Sequence, residues 1–428
     1  MMQVLGKEQR TKAFNSLFGD YGGPTFAIHL WDGWCWHSSE NQKPACTIDV
    51  RSADALGLLI ENPDEVGLGE AFVRGDIDVK GDLFSVFSVG EHVLTRPSTL
   101  RQELFQLLAA TLVGVGNFFR NGSRHSPSRD RSAIEHHYDQ PFEFYQPWLG
   151  KTLTYSCAYF HEEGETLDSA QEHKIDLLCR KLRLQPFEQF LDIGCGWGSL
   201  ILHAAKEYGA YAQGITLSKE QARVAEMRIE EAHLTQSCKV ELRDYRTLDN
   251  VTVPFDKIAS VGMFEHVGLK NLPQYFTTVR KALKPGGTFL NHGIARAHHS
   301  PARKSSFIDR YVFPDGELVT LSQALTAAES AGFEVRDVEN LREHYDLTLR
   351  RWVEHLQRHA NAVLEHVPES TYRTWLLYMA GSAAAFRRGD IELYQTLLSR
   401  STDRGQCHLP LTREDWYLPS VCNEGVKV

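Results

Sequence analysis

Leu191 to Gly198 reads LDIGCGWG, an apolar strand that runs into glycines at 194, 196 and 198 ahead of an amphipathic helix. Glycines remove the side chains that hold a ligand off the backbone and open dihedrals closed to other residues, so the bend predicts a flat ligand against the main chain. A dinucleotide fingerprint separates its last two glycines by two residues, to seat a pyrophosphate on the helix N-terminus. Here the glycines alternate, which suits a ligand without phosphates. Asp192 at the strand tip favours nearby positive charge. An adenosyl group carrying a sulfonium meets both conditions, so the stretch points to S-adenosylmethionine, against the plainer reading of a tight strand-to-helix turn.

Strand-like and helix-like runs alternate downstream, as in a doubly wound parallel sheet whose crossovers need intervening helices. Strands are predicted near Phe190–Ile193, Ala210–Ile215, Lys239–Arg243, Lys257–Val261 and Thr288–Ile294, with Lys284-Pro-Gly-Gly287 breaking the chain before the fifth. Leu200, Ile201, Ala204 and Ala205 form the apolar stripe of one helix, and Lys219 to Ala232 makes a second, charged one. Ligands of such sheets bind at the carboxyl ends of the strands. Those ends carry Asp192 and Gly194, then Thr216, Leu217, Ser218 and Gln221, then Asp244, Tyr245 and Arg246, then Glu265 and His266, then His292 and Ile294. The second strand lacks the acidic residue that many adenosyl sites place on the ribose hydroxyls, which leaves Gln221 or Thr216 to make those hydrogen bonds.

Six segments taken in order resemble the cyclopropane-fatty-acyl-phospholipid synthases: YSCAYF at Tyr155–Phe160, LDIGCGWG, GITLSKEQ at Gly214–Gln221, DYR at Asp244–Arg246, VGMFEHVG at Val261–Gly268 and FIDRYVFPDGEL at Phe307–Leu318. The resemblance spans about His136 to Arg400. It implies an α/β fold, the class I S-adenosylmethionine-dependent methyltransferase with a seven-stranded Rossmann-like doubly wound sheet. It also implies addition of a methylene bridge across a cis double bond of a membrane lipid acyl chain. By motif, Tyr155, Ser156, Gly194, Gly196, Thr216, Leu217, Gln221 and Tyr245 resemble the cofactor contacts, to which the strand-end reading adds Asp192 and Asp244. Cys157, Glu265, His292, Ile294 and Tyr345 resemble a cradle for bicarbonate and form the expected catalytic set. The chain departs from the family at Gln140-Pro141-Phe142, where a glycine and an asparagine are usual, at Val319-Thr320 in place of a proline-serine pair, and in the extension from Ser401.

The implied chemistry explains these residue types. An isolated alkene is a weak nucleophile with no proton to give, so the protein contributes by aligning it with the sulfonium methyl and excluding water. Methyl transfer leaves a carbocation that aromatic faces stabilise without capturing, and Tyr155, Tyr159, Phe160, Phe264 and Tyr345 are candidate walls. Bicarbonate then serves as base, held by His292, the Tyr345 hydroxyl and the Ile294 amide, with Glu265 bonded to it or orienting His292; two adjacent anions would share a proton. Plainer readings stand beside these. A buried Cys157 is a small hydrophobe; Glu265 and His266 could be solvated groups closing a strand; Tyr345 could be an ordinary half-buried tyrosine. His355 and His359 have metal-ligand spacing, but Glu354, Gln357 and Arg358 make a solvated helix face the better reading, and no metal is expected.

At 428 residues the chain exceeds a typical single core. The expected organisation is an α+β N-terminal accessory domain over 1–119, a basic linker over 120–135, a catalytic domain over 136–400 and a C-terminal extension over 401–428. Phe26–Ser38 and Ala45–Val50 alternate like strands, while Gly67–Arg74 and Leu83–Leu94 read as helices. This half more loosely resembles the N-terminal domain of the longer synthases, which is similar to sterol-carrier-like lipid-binding domains. Leu104–Phe119 is apolar but short for a membrane span, and reads as a packed helix or an interfacial one. The absence of an export signal and of CxxC pairs among eight cysteines predicts a reduced, cytoplasmic protein. A net charge of −9 argues against nucleic acid and against general attraction to anionic lipid, which leaves the linker arginines and Arg387-Arg388 for transient contact with the inner membrane surface. The expected partner is an unsaturated phospholipid in that membrane, with a homodimer implied by resemblance. The rivals are a fatty acyl methyltransferase giving a methylene or methyl branch, a small-molecule methyltransferase, and a lipid-binding or carrier protein without activity.

Overall fold

The computed structural model describes residues 7–52, 65–95, 140–300, 307–312 and 317–417. The predicted basic linker, the Leu104–Phe119 run, both domain boundaries at 119 and 135, and residues 418–428 lie outside them. The chain divides into two compact units, neither continuous in sequence: Met1–Arg124 with Arg303–Pro314 and Trp352–Ala385, and His125–Ala302 with Asp315–Arg351 and Phe386–Val428.

In the first unit, helix α1 (Lys7–Phe18) precedes strands β1 (Phe26–Leu30), β2 (Cys35–His37) and β3 (Cys46–Val50), followed by α2 (Glu65–Val73), β4 (Ile77–Gly81) and α3 (Ser85–Thr95). The sheet runs β2-β1-β3-β4, with β1 and β3 parallel. Its core is aromatic, with Phe14, Phe18, Phe26, Trp34 and Trp36 in contact. Segments much later in the chain complete the unit. The Phe307 ring covers Gly69, Tyr311 donates to Glu70 (2.8 Å), and Arg373 donates to Phe72 O and to Asp78 (3.3 Å each). A chain started at Ser132 would strip these partners away and leave the nearly buried Arg373 without them. It is expected to lose several degrees in thermal midpoint and to self-associate, as read by scanning fluorimetry and size exclusion. A fragment as stable and monodisperse as the full chain would contradict this.

The second unit opens with α4 (Phe142–Leu149) and α5 (Leu167–Leu182). It then alternates β5 (Gln189–Ile193), α6 (Ser199–Tyr208), β6 (Tyr211–Thr216), α7 (Lys219–Glu231), β7 (Cys238–Leu242), β8 (Phe255–Val261), α8 (Leu272–Ala282) and β9 (Leu283–Arg296). It closes with α9 (Leu321–Ser330), β10 (Glu334–Asn340), the part of α10 (Arg342–Arg358) up to Arg351, and β11 (Ile391–Ser399). The seven strands lie in the order β10-β11-β9-β8-β5-β6-β7, all parallel except β11, which is antiparallel to both neighbours. The five expected strands are β5 to β9, and the expected stripe of Leu200, Ile201, Ala204 and Ala205 is the buried side of α6. One expectation is corrected. Lys284-Pro-Gly-Gly287 does not break the chain before the fifth strand but bulges within it: Phe255 pairs with Leu283 and Lys257 already with Thr288, so β9 accommodates the extra residues with Gly286 at φ +83°.

Strand alternation sorts the sheet into two cores. Leu191, Ile193, Ile258 and Phe289 face α8, whereas Phe190, Ala259 and Leu290 face the side of α5 and α6. Asp192 shares the second face. The departures from the family have local structural reasons. Pro141, at φ −61°, starts α4 and brings Phe142 edge-on to Trp197 (5.4 Å). Thr320 caps α9 in a reciprocal capping box with Gln323. The extension from Ser401 packs onto the unit: Trp416 is buried among α5 side chains, its carbonyl accepts from Arg180 (2.8 Å), and Asp415 accepts from Nε and Nη2 of Arg183.

Candidate active site

β5 pairs with β6 on one side and β8 on the other, so strand order reverses at its carboxyl end, where open sheets of this kind bind ligands. A cavity lies there. It is lined by Tyr155, Ser156, Asp192, Gly194, Gly196, Thr216, Leu217, Gln221 and Tyr245, nine of the ten expected cofactor residues. Asp244 is placed otherwise: its carboxylate accepts from Arg246 N (2.9 Å) and pairs with the Arg246 guanidinium, capping the turn at Tyr245–Asn250. The two central glycines differ in what surrounds them. A Cβ on Gly194 (φ +82°) would sit 2.9 Å from Met263 Cβ, whereas a Cβ on Gly196 (φ +53°) would meet nothing within 4 Å and would enter the cavity. Thr216 donates to Gln221 Oε1 (2.9 Å), which leaves the Gln221 amide hydrogens as its offer to a ligand hydroxyl.

Helix α5 supports the cavity from beneath. Gln171 and Lys174, both buried, hold the Tyr155-Ser-Cys157 segment: Gln171 Nε2 donates to Ser156 O (2.9 Å), and Lys174 Nζ to Ser156 Oγ (2.8 Å). These two residues were not anticipated. Spaced with Lys181 at intervals of three and seven, they form a polar line down one face of the helix, a pattern ordinarily read as the solvent side. Here that line points at the sheet.

Burial dominates the electrostatics. It pushes the Asp192 carboxyl up to about 7 against the opposing pull of the Lys174 ammonium, and pulls Lys174 down to about 8. Asp192 Oδ1 is buried without a partner among the described residues. An aspartate free of such burial releases its proton near about 4. From there to about 7 the folded state keeps a proton that the unfolded chain has lost, so the stability of the ligand-free protein drains away as pH rises through this window. Asp192→Asn cannot ionise. The variant is expected to gain thermal midpoint relative to wild type as pH rises from about 4 to about 7; a constant difference across that range would contradict a buried, neutral Asp192.

The five residues of the expected bicarbonate cradle fall into two neighbouring groups. His292 and Ile294 project from one face of β9, and the Ile294 amide donates to Glu265 Oε1 (2.6 Å) from the short turn Phe264–His266. Ile294 N–H is therefore directed to Glu265. Desolvation raises the Glu265 carboxyl to about 7, the Ile294 bond opposing it, and burial holds the His292 imidazole well below its usual range, reinforced by Lys174 and Lys181. Glu265 Oε2 and His292 Nε2 are both buried and have no partner among the described residues. Cys157 and Tyr345 meet around Leu341: Cys157 Sγ lies 3.9 Å from Leu341 O, which also accepts from Tyr345 N (3.1 Å). Burial pushes the Cys157 thiol far up, against the pull of Lys174, so it is no thiolate. Lys174 thus acts electrostatically on both groups. Of the expected aromatic walls, Tyr155 lines the cavity, Tyr159 stacks on His344 (4.6 Å), and Tyr345 packs on Phe386 (4.7 Å). Phe264 packs with Tyr275 and Phe276 in the core across the sheet from His292.

Residues 125–396 match the family model for mycolic acid cyclopropane synthetase, and residues 13–92 match a domain of unknown function. The chain is 41% identical over 394 residues to a probable fatty acid methyltransferase of Pseudomonas putida, covering 91% of this chain and 95% of that one. It is 37% identical over 269 residues to the cyclopropane-fatty-acyl-phospholipid synthase of Escherichia coli (strain K12), covering 63% and 68%. Among solved structures it resembles the mycolic acid cyclopropane synthase CmaA1 complexed with SAH and CTAB. That likeness has a TM-score of 0.58 at 33% identity, and covers 63% of this chain and 97% of the other.

Proposed function

Since the chain belongs to the mycolic acid cyclopropane synthetase family and has the class I S-adenosylmethionine-dependent methyltransferase fold, we propose that it acts on unsaturated phospholipid acyl chains. It transfers a methylene group from S-adenosylmethionine to the cis double bond, giving cyclopropane fatty acyl lipids. The observation that carries this reading is the pair of buried atoms on His292 and Glu265 that have no partner among the described residues, together with a strand-end cavity lined by Asp192, whose Oδ1 likewise has none among them.

The residues fit the two small molecules the reading requires. At the glycine turn, the open space at Gly196 and the Asp192 carboxylate suit an adenosyl group with positive charge, which would draw Asp192 back to its ionised form. His292 and Glu265 suit a small anion: a neutral imidazole donates one N–H, and a carboxyl raised to about 7 keeps a proton to share. When bound, S-adenosylmethionine supplies the methyl group and bicarbonate the base that takes a proton from it as the ring closes. The protein's own part is to dry the site, align the double bond, and keep Glu265 and His292 from carrying full charge.

A second reading has support of its own. The Pseudomonas putida relative, matched over 91% of this chain, is a probable fatty acid methyltransferase, and from the same cation a 1,2-hydride shift onto the neighbouring carbon, followed by loss of a proton from the added methyl, would leave a methylene branch instead of a ring. Labelled S-adenosylmethionine incubated with vesicles of unsaturated or saturated phospholipid separates the cases. Upfield ring protons in the recovered fatty esters are expected, from unsaturated vesicles alone. Vinylidene protons without ring protons would favour the branch, and no incorporation would favour a lipid carrier. No helix among the described residues is long and apolar enough to cross a membrane. We place the enzyme in the cytoplasm, with transient contact at the inner membrane surface and a homodimer as its assembly.

A further inference from the structure

A chain of buried polar side chains runs from Lys181 on α5 to His292 on β9. Lys181, Gln395 and His292 are each at most 1% exposed. Lys181 Nζ pairs with Glu339 on β10 and donates to Gln395 Oε1 on β11 (2.7 Å), and Gln395 Nε2 lies 3.2 Å from His292 Nδ1. The register explains the approach, because Gln395 and His292 are directly paired across β11 and β9. Trp416 covers the near end, its ring 5.6 Å from the Lys181 ammonium.

Donor and acceptor roles follow from this order. An ammonium has hydrogens to give and nothing to accept with, so Gln395 must turn its oxygen to Lys181 and its NH2 to the histidine. His292 Nδ1 must then accept. The proton of the neutral ring is left on Nε2, the atom that is buried and unpartnered among the described residues. We infer that Gln395, fixed by Lys181 and Glu339, is a positioning residue that holds His292 in the Nε2–H form, so that it presents a donor to a small acceptor in the site. The inference rests on the role given to His292 above for its catalytic meaning, but not for its chemistry.

Nitrogen-15 NMR of full-length protein labelled at histidine, with His292 assigned by its loss in His292→Gln, tests this without turnover. In wild type, Nδ1 is expected to be the unprotonated nitrogen. In the near-isosteric Gln395→Glu, a carboxylate faces Nδ1 and the proton is expected to appear there. Turnover should fall by at least about tenfold, with S-adenosylmethionine affinity within about threefold of wild type. A protonated Nδ1 in wild type overturns the inference, so the test stands even if the variant fails to fold. An Nδ1 that stays unprotonated in a folded Gln395→Glu overturns it as well. A proton that moves while turnover is unchanged upholds the positioning and removes His292 from the reaction.

Discussion

Glu265→Gln and His292→Ala are expected to cut turnover on unsaturated phospholipid vesicles by about 100-fold or more, the range for groups that assist a proton transfer. The affinity for S-adenosylmethionine should stay within about tenfold. The separation follows from geometry, since neither residue lines the cavity at the glycine turn while both hold buried atoms without a partner among the described residues. In Glu265→Gln the amide oxygen can still accept from Ile294 N, so the fold is kept and the shared proton is lost. Calorimetric titration alongside single-turnover rates checks the split. Equal losses of binding and rate would make both residues structural, and a wild-type assay depleted of bicarbonate should reproduce the variants' defect.

Gly196→Val is expected to weaken S-adenosylmethionine binding by about 100-fold or more, equivalent to about 3 kcal/mol. Two costs add. The backbone at φ +53° disfavours a β-branched residue, and the new side chain projects into empty cavity where the ligand would lie. The position is informative because the protein itself has room for the substitution, whereas at Gly194 a side chain would strike Met263 and failure would report on packing. Titration of a variant with a native far-ultraviolet spectrum decides it. Wild-type affinity in such a variant would remove the adenosyl group from this turn.

β5 to β9 were legible as short apolar runs between turn signals, since the central strands are buried on both faces, and α6 by the one apolar stripe it buries. β10 escaped because EVRDVEN is an edge strand with no fully buried residue, so its alternation is mostly of charged and half-exposed side chains. The lining of the cavity was legible because glycines, strand ends and a short motif lie close together in the chain. Lys174, Gln171, Lys181 and Gln395 were not, for a different reason. A lysine on a helix is read as solvated unless its partners are known, and those of Lys181 lie 158 and 214 residues away, on β10 and β11. Asp244 shows the converse: it stands at a strand end like the cavity-lining residues, yet the arginine two positions on pairs with its carboxylate.

Strand order also bears on how the protein is made. β11 is later in the chain than every other strand of its sheet yet lies inside it, between β10 and β9. Until residues 391–399 leave the ribosome, β9, the longest strand among the described residues at 14, has one edge open to any other extended segment. Such an edge invites pairing between chains, and chaperones that shield extended apolar segments would act in this interval. Gln395 arrives on the same strand that closes the edge, so completion of the sheet and orientation of His292 are one event in biosynthesis.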